Sequence, residues 1–252
     1  MVLVKTFYAH NELRNYSYLI LDKTTGYSWV IDPYDPQVIG DYIKKNGLVL
    51  KGILNTHQHS DHIRGNLLLS SIFSCPILFL NETDLIQQST QDAIRVLNTP
   101  GHTLDHQAFL WIREGREVAL FSGDTLFNSG VGNCRGGGNV DLLYESTLSL
   151  LSLPSETLLY PGHDYRLRNL EFSENIEPEN KKIREKIREI KELETYDLGP
   201  VTLKEEMEVN PFLRLHSPEI RQNLKKKFKS LSIGDESDRE FFRCLRELRD
   251  QW

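Results

Sequence analysis

Apolar and polar residues alternate with a period of two along NYSYLILD (residues 15–22) and YSWVIDP (27–33). The turn-forming KTTG between them predicts a β-hairpin. PQVIGDYIKKNG (36–47) opens on proline and closes on glycine, the punctuation of a helix. VLKGILNT (49–56) is a short apolar run that delivers the chain into THQHSDH, so that motif belongs in a loop at a strand end. PILFL, IRVLNTP, HQAFLWI, VALFSGD and TLLYPGH are further predicted strands, and most end on a His or Asp beside Gly or Pro. Polar residues gathered on loops at strand ends are what an active-site rim looks like.

After Tyr165 the period lengthens. PENKKIREKIREIKEL places Ile183, Ile187 and Ile190 on one helical face. HSPEIRQNLKKKF begins with a serine N-cap followed by proline, and REFFRCLRELRDQW predicts a last helix. The chain therefore divides into an α/β region, 1–164, and an all-helical region, 165–252. Neither repeats nor low-complexity segments interrupt it.

Charge sharpens this division. The net charge is −6, which argues against a nucleic-acid binder of the basic kind. Residues 1–164 carry 11 Lys/Arg against 17 Asp/Glu, whereas 165–252 carry 19 of each. No apolar run is long enough to cross a bilayer, and MVLVKTFYAHNEL turns polar too early for an export signal, so a cytoplasmic protein is expected. Cys75, Cys134 and Cys244 are odd in number and widely spaced, which suits free thiols in a reducing compartment.

The chemistry concentrates in His57, His59, Asp61 and His62, an HxHxDH cluster that arises by chance about once in two thousand chains of this composition. A lone histidine is usually satisfied by hydrogen bonds. Three imidazoles this close would repel when protonated and call for a shared cation. In an extended segment His57 and His59 point the same way and can pinch one metal, while Asp61 and His62 lie past the bend and face a neighbouring position. His102 in NTPGHT, Asp124 in FSGDT and His163 in YPGHD are the candidates to complete two sites. Three ligands per metal with one carboxylate left to bridge leaves room for water, and nitrogen and oxygen donors favour zinc, iron or manganese. His106 reads as a supporting residue rather than a ligand.

The order THxHxDH, Gly-His, Gly-Asp, Gly-His resembles the metallo-β-lactamase superfamily. That resemblance implies an α/β fold, an αββα metallo-β-lactamase sandwich with a C-terminal all-helical domain. It assigns His57, His59 and His102 to one metal, Asp61, His62 and His163 to the second, and Asp124 as the bridge. It also implies a metal-bridging hydroxide as nucleophile, with Asp61 and Asp124 as the catalytic carboxylates and two divalent ions per chain, zinc first, iron or manganese also compatible.

GDTLF, LYEST, YPGHDYRLRNLEFSENIEPEN and VNPFLRL are similar to the hydroxyacylglutathione hydrolase (glyoxalase II) family over essentially the whole chain. The implied reaction is hydrolysis of the thioester of S-lactoylglutathione to glutathione and D-lactate, a step of methylglyoxal detoxification. The implied partner is a small glutathione thioester, with no nucleic acid or membrane, and the implied state is a monomer. The family pattern assigns Tyr165, Arg246 and Arg249 to the glutathionyl group. After Gly132 the family's basic residue and nearby aromatic give way to NCRGGGN, in which Arg135 can take the basic role and the aromatic has no match. Glycines 136–138 read as loop shape rather than phosphate binding. On the last helix Phe241, Leu245, Leu248 and Trp252 share one face and Arg239, Arg243, Arg246 and Arg249 the opposite side, either a solvated basic face or a grip for two carboxylates. The alternative function is a glutathione-persulfide dioxygenase with a single iron, whose members share HxHxDH but typically lack the long helical tail.

Overall fold

The structure, a computed structural model, describes residues 2–252 apart from 83, 88, 90, 194–198, 230 and 232–235. It divides into two compact units, each assembled from separated stretches of chain. The first comprises Met1–Asn98, Asp105–Gly123 and Tyr160–Asp164; the second comprises Thr99–Leu104, Asp124–Leu159 and Tyr165–Trp252.

In the first unit the predicted hairpin forms. Strand β2 (Tyr16–Asp22) runs antiparallel to β3 (Tyr27–Ile31), with β1 (Val2–Tyr8) on its other side. Every residue of β2 is buried, as befits a strand covered on both faces. Helix α1 (Pro36–Lys45) starts at the proline, where the Asp35 carboxylate accepts the Gln37 and Val38 amides, and leads to β4 (Val49–Leu54), parallel to β3. A short turn α2 (Ser60–Ile63) and helix α3 (Asn66–Phe73) follow. Ile39 and Ile43 of α1 and Leu69 of α3 pack on Leu19, Leu21, Val30, Leu50 and Ile53 of the sheet.

The second sheet of this unit is an antiparallel meander of β5 (Leu85–Gln87), β6 (Asp92–Asn98), β7 (Gln107–Arg113) and β8 (Arg116–Gly123). Tyr18 of β2 lies 5.3 Å from Phe121 of β8, so helix, sheet and sheet are stacked layers. PILFL departs from expectation. Only Ile77 bridges to Ile53, because Pro76 has no amide to donate and the Phe79 side chain stands exposed.

The second unit holds the two-residue pair β9 (Leu126–Phe127) and β10 (Gly130–Val131), then α4 (Val140–Leu150), capped by the Asn139 side chain. Strand β11 (Leu158–Pro161) pairs through Leu158 and Leu159 with β12 (Val201–Thr202). Among the described residues, the predicted helical tail includes α5 (Arg166–Ile176), α6 (Lys181–Glu192), α7 (Leu203–Val209), α8 (Pro218–Lys227) and α9 (Asp238–Gln251). Ile183 and Ile187 of α6 are buried against Leu170 and Val209, with Ile190 packed beside them. Ser217 stands at the predicted N-cap of α8, but its hydroxyl donates to Glu177 Oε1 at 2.6 Å instead of capping.

The strands serve the chemistry by where they stop. β4 ends two residues before Thr56, β8 ends one before Asp124 and β11 two before His163.

Candidate metal centre

In the first unit His57, in a bend, and His59, in extended backbone, follow β4 and their rings converge, His57 Nε2 lying 2.9 Å from His59 Nδ1. Asp61 and His62 belong to the helical turn α2, and the His62 ring lies 4.1 Å from that of His57, so the two pairs expected at neighbouring positions adjoin one another. His163 reaches them from the end of β11. Its Nε2 is 3.2 Å from His62 Nε2, and Asp61 Oδ2 stands 3.5 Å from His62 Nε2 and 3.6 Å from His163 Nε2.

The opposite ring nitrogens decide what these contacts mean. His163 Nδ1 is 2.8 Å from the Leu13 carbonyl, which can only accept, so Nδ1 carries the proton. His62 Nδ1 is 2.9 Å from Asp32 Oδ2 and donates to it in the same way. The two Nε2 lone pairs and the Asp61 carboxylate therefore face one another, three acceptors with no proton of their own to share. All three donor atoms lie within 4.8 Å of one another, and His62 and His163 are buried. Such a set suits a cation, and a divalent ion with nitrogen and oxygen ligands fits it.

Asp32 organises this half of the centre, and the sequence did not single it out. One carboxylate oxygen accepts the Thr56 amide at 2.8 Å; the other accepts the Thr56 hydroxyl at 2.6 Å and His62 Nδ1. With its proton committed to Asp32, Thr56 Oγ1 accepts from His57 Nδ1 at 3.1 Å, which leaves His57 Nε2 as donor atom. Asn15 was missed as well; its Nδ2 donates to Asp61 Oδ2 at 2.8 Å, fixing the carboxylate. The only local sign of Asp32 is that it follows strand β3 just before a proline; Asn15 carries none. His106 is buried and stacks its ring on His57 at 5.1 Å.

In the second unit His102 and Asp124 are neighbours, Nε2 to Oδ2 at 3.5 Å, both buried. His102 Nδ1 donates to the Asn133 carbonyl at 2.6 Å, so Nε2 again keeps the lone pair. Gly132, just before Asn133, presses on both residues. A Cβ there would lie 1.9 Å from the Asp124 carbonyl oxygen and 3.2 Å from His102 Nδ1, so only glycine fits. The NCRGGGN loop folds back through Gly138 N–H to the Cys134 carbonyl at 3.1 Å, and Asn139 N–H donates to the Gly101 carbonyl at 2.8 Å. Burial pushes the Cys134 thiol up to about 11, so it stays protonated.

The residues assigned to the glutathionyl group also lie in this unit. Tyr165, half-buried before α5, sets its ring 5.4 Å from Phe127. Arg249 donates to Asn169 Oδ1 at 3.1 Å and lies over the Phe172 ring; burial, with Arg246 and Arg168 nearby, brings its guanidinium down to about 10. Arg135 is exposed and donates to the Asp250 carbonyl. Along α9 the arginines divide. Arg239 and Arg243 pair with Glu145 and Asp141 at the surface, a solvated basic face, whereas Arg246 is buried.

Residues 164–252 match the family described as hydroxyacylglutathione hydrolase C-terminus, and residues 11–79 match the metallo-beta-lactamase superfamily. A hydroxyacylglutathione hydrolase of Polaromonas sp. (strain JS666) is 36% identical, the match covering 100% of both chains. A cytoplasmic hydroxyacylglutathione hydrolase of Arabidopsis thaliana is 35% identical across 99% of both. Among solved structures, ETHE1 from Myxococcus xanthus superposes with a TM-score of 0.68 at 25% identity, covering 98% of this chain and 91% of that one.

Proposed function

The chain belongs to the hydroxyacylglutathione hydrolase family, with the α/β fold of the metallo-β-lactamase superfamily and a C-terminal helical region, and from that premise we infer that it hydrolyses the thioester of S-(2-hydroxyacyl)glutathione. S-Lactoylglutathione is the type substrate, and glutathione and D-lactate are the products. The observation that carries this reading is the end-to-end match to relatives that bear that name, helical tail included.

His57, His59 and His102 are assigned to one metal, Asp61, His62 and His163 to a second, and Asp124 to both. Zinc is the first choice, and iron or manganese also suit the donor set. These residues would hold divalent ions, whose chemistry when bound would be to acidify a water and polarise a carbonyl. The protein's part is to fix donors. Asp32 and Thr56 orient His62 and His57, Asn15 holds Asp61, and the Asn133 carbonyl sets the tautomer of His102. A thiolate is a good leaving group, so no dedicated general acid is needed.

Residues 1–164 are assigned the metal chemistry and 165–252 most of the glutathionyl grip, with Arg135 added from the first region. Tyr165, Arg249 and Arg135 would meet the glutathionyl group and its two carboxylates, with Arg246 beneath them. The protein is expected to act as a monomer in the cytoplasm, on a small molecule rather than a nucleic acid or membrane. No described helix is long and apolar enough to cross a membrane.

Metal-replete protein is expected to split S-lactoylglutathione with release of free thiol, and a chelator to abolish this. If other esters are cleaved while that thioester survives, the substrate assignment fails and the hydrolase class stands. One iron per chain together with oxygen consumption would select the persulfide dioxygenase instead. Asp124→Asn should lower both bound metal and turnover by more than the roughly 10–100-fold typical of residues that merely support a ligand. Unchanged turnover would remove Asp124 from the centre.

A further inference from the structure

Arg246 is the one arginine of α9 that is almost wholly enclosed, at 6% exposure, and both of its terminal nitrogens donate to the protein itself. Nη1 donates to the Val131 carbonyl at 2.9 Å and the Gly132 carbonyl at 3.2 Å; Nη2 donates to Asp250 Oδ1 at 2.9 Å. The Phe212 ring lies 5.5 Å away beneath the guanidinium. The two carbonyls belong to the segment that touches the metal donors. Gly132 is wedged against the Asp124 backbone and the His102 ring, and the next carbonyl, Asn133, holds His102 Nδ1. Asp250 receives Arg135 from the far side of the same loop, so α9 grips residues 131–135 at both ends.

We propose that Arg246 is a positioning residue for the metal centre, clamping the 131–133 loop so that the Asn133 carbonyl fixes the His102 ring with Nε2 toward the metal. This rests on the metal assignment above and deepens it, and it is independent of which thioester is cleaved. The planar fork suits such a clamp, since one guanidinium spans two successive carbonyls and a carboxylate, which a lysine ammonium reproduces only in part.

The experiment is a cobalt(II) titration of metal-stripped wild type, Arg246→Lys, Arg246→Met and Arg249→Met, followed by visible absorption, without substrate. Arg246→Met should weaken cobalt binding about tenfold or more and alter the ligand-field bands, with Arg246→Lys in between. Arg249→Met should bind cobalt as wild type does and show its effect as a raised KM. Should Arg246→Met fail to fold, judged by circular dichroism, Arg246→Lys decides, because it keeps the stem and charge; imidazole nitrogen NMR of the stripped protein then reports whether His102 keeps its Nδ1 proton. Wild-type cobalt affinity, wild-type bands and an unchanged His102 tautomer in folded Arg246→Lys would overturn the proposal. A raised KM as the sole effect would make Arg246 a substrate contact only. If the wild type binds cobalt but leaves S-lactoylglutathione intact, the substrate reading fails while the clamp is still judged by the cobalt result.

Discussion

Asp32 shows how much one side chain can organise without touching the reacting atoms. Its two oxygens take a backbone amide, a hydroxyl and an imidazole N–H, and through the last two they choose the tautomers of His57 and His62. It does so from a left-handed backbone conformation, φ 49°, that a non-glycine residue adopts only when its surroundings demand it. Asp32→Asn replaces one acceptor with a donor, which must then face either the Thr56 hydroxyl and His62 Nδ1 or the Thr56 amide N–H. Metal affinity should fall about 10–100-fold, read by competition with a chromophoric chelator, and a wild-type affinity would show that the rings hold their orientation without it. Nothing local distinguished Asp32 from any aspartate before a turn. The histidines could be read because their spacing is itself improbable; their supports could not, since each is a common residue given meaning by its neighbour.

Strand ends do the same work one level up. β8 can deliver Asp124 because Gly123 turns at φ 49° against Thr56 and His106, where a Cβ would lie 2.6 Å and 2.7 Å from those side chains. Gly123→Ala combines backbone strain with a clash, so a loss of about 2 kcal/mol or more is expected from denaturant unfolding. In the tail, Glu177 ends α5 and receives Arg214, Ser217 and Asn180. Burial alone would raise its pKa, but the hydrogen bonds from Arg214, Ser217 and Asn180 outweigh burial and hold it below the ordinary value of 4.5. A carboxylate with a depressed folded pKa contributes stability that is present above the unfolded value and lost as pH falls through the folded one. The thermal midpoint of wild type should therefore drop more steeply below about pH 4.5 than that of Glu177→Gln. Parallel curves would mean this cluster adds nothing pH-dependent. Ser217 explains why its N-cap expectation was half right: serine before proline marks the helix start, but the hydroxyl found a buried charged acceptor instead.

At the scale of the whole molecule, the donors proposed for the centre run from His57 to His163, so a metal held by them would tie together segments more than a hundred residues apart. An ion that binds only the folded chain stabilises it by mass action, about 4 kcal/mol at a free concentration a thousand times Kd. Stripping with a chelator should lower the melting temperature by several degrees, and adding zinc should restore it. A midpoint indifferent to metal would argue against a site built from these distant donors.

The chain by itself determined the α/β class, most strands and the helical tail, and put forward the HxHxDH cluster as a candidate metal site, because hydrophobic periodicity, turn punctuation and residue spacing are local properties of consecutive residues. The family resemblance carried the substrate. Tertiary structure decided what supports the donors. Asp32 meets His62 across 30 residues and Arg246 meets Val131 across 115, so which acceptor each finds depends on long-range packing and leaves no pattern along the chain. PILFL failed as a strand for the same reason: an apolar run pairs only where a neighbouring edge and its own amides allow, and Pro76 removes one of them. Burial likewise separated Arg246 from Arg239 and Arg243, which helical spacing alone had placed side by side.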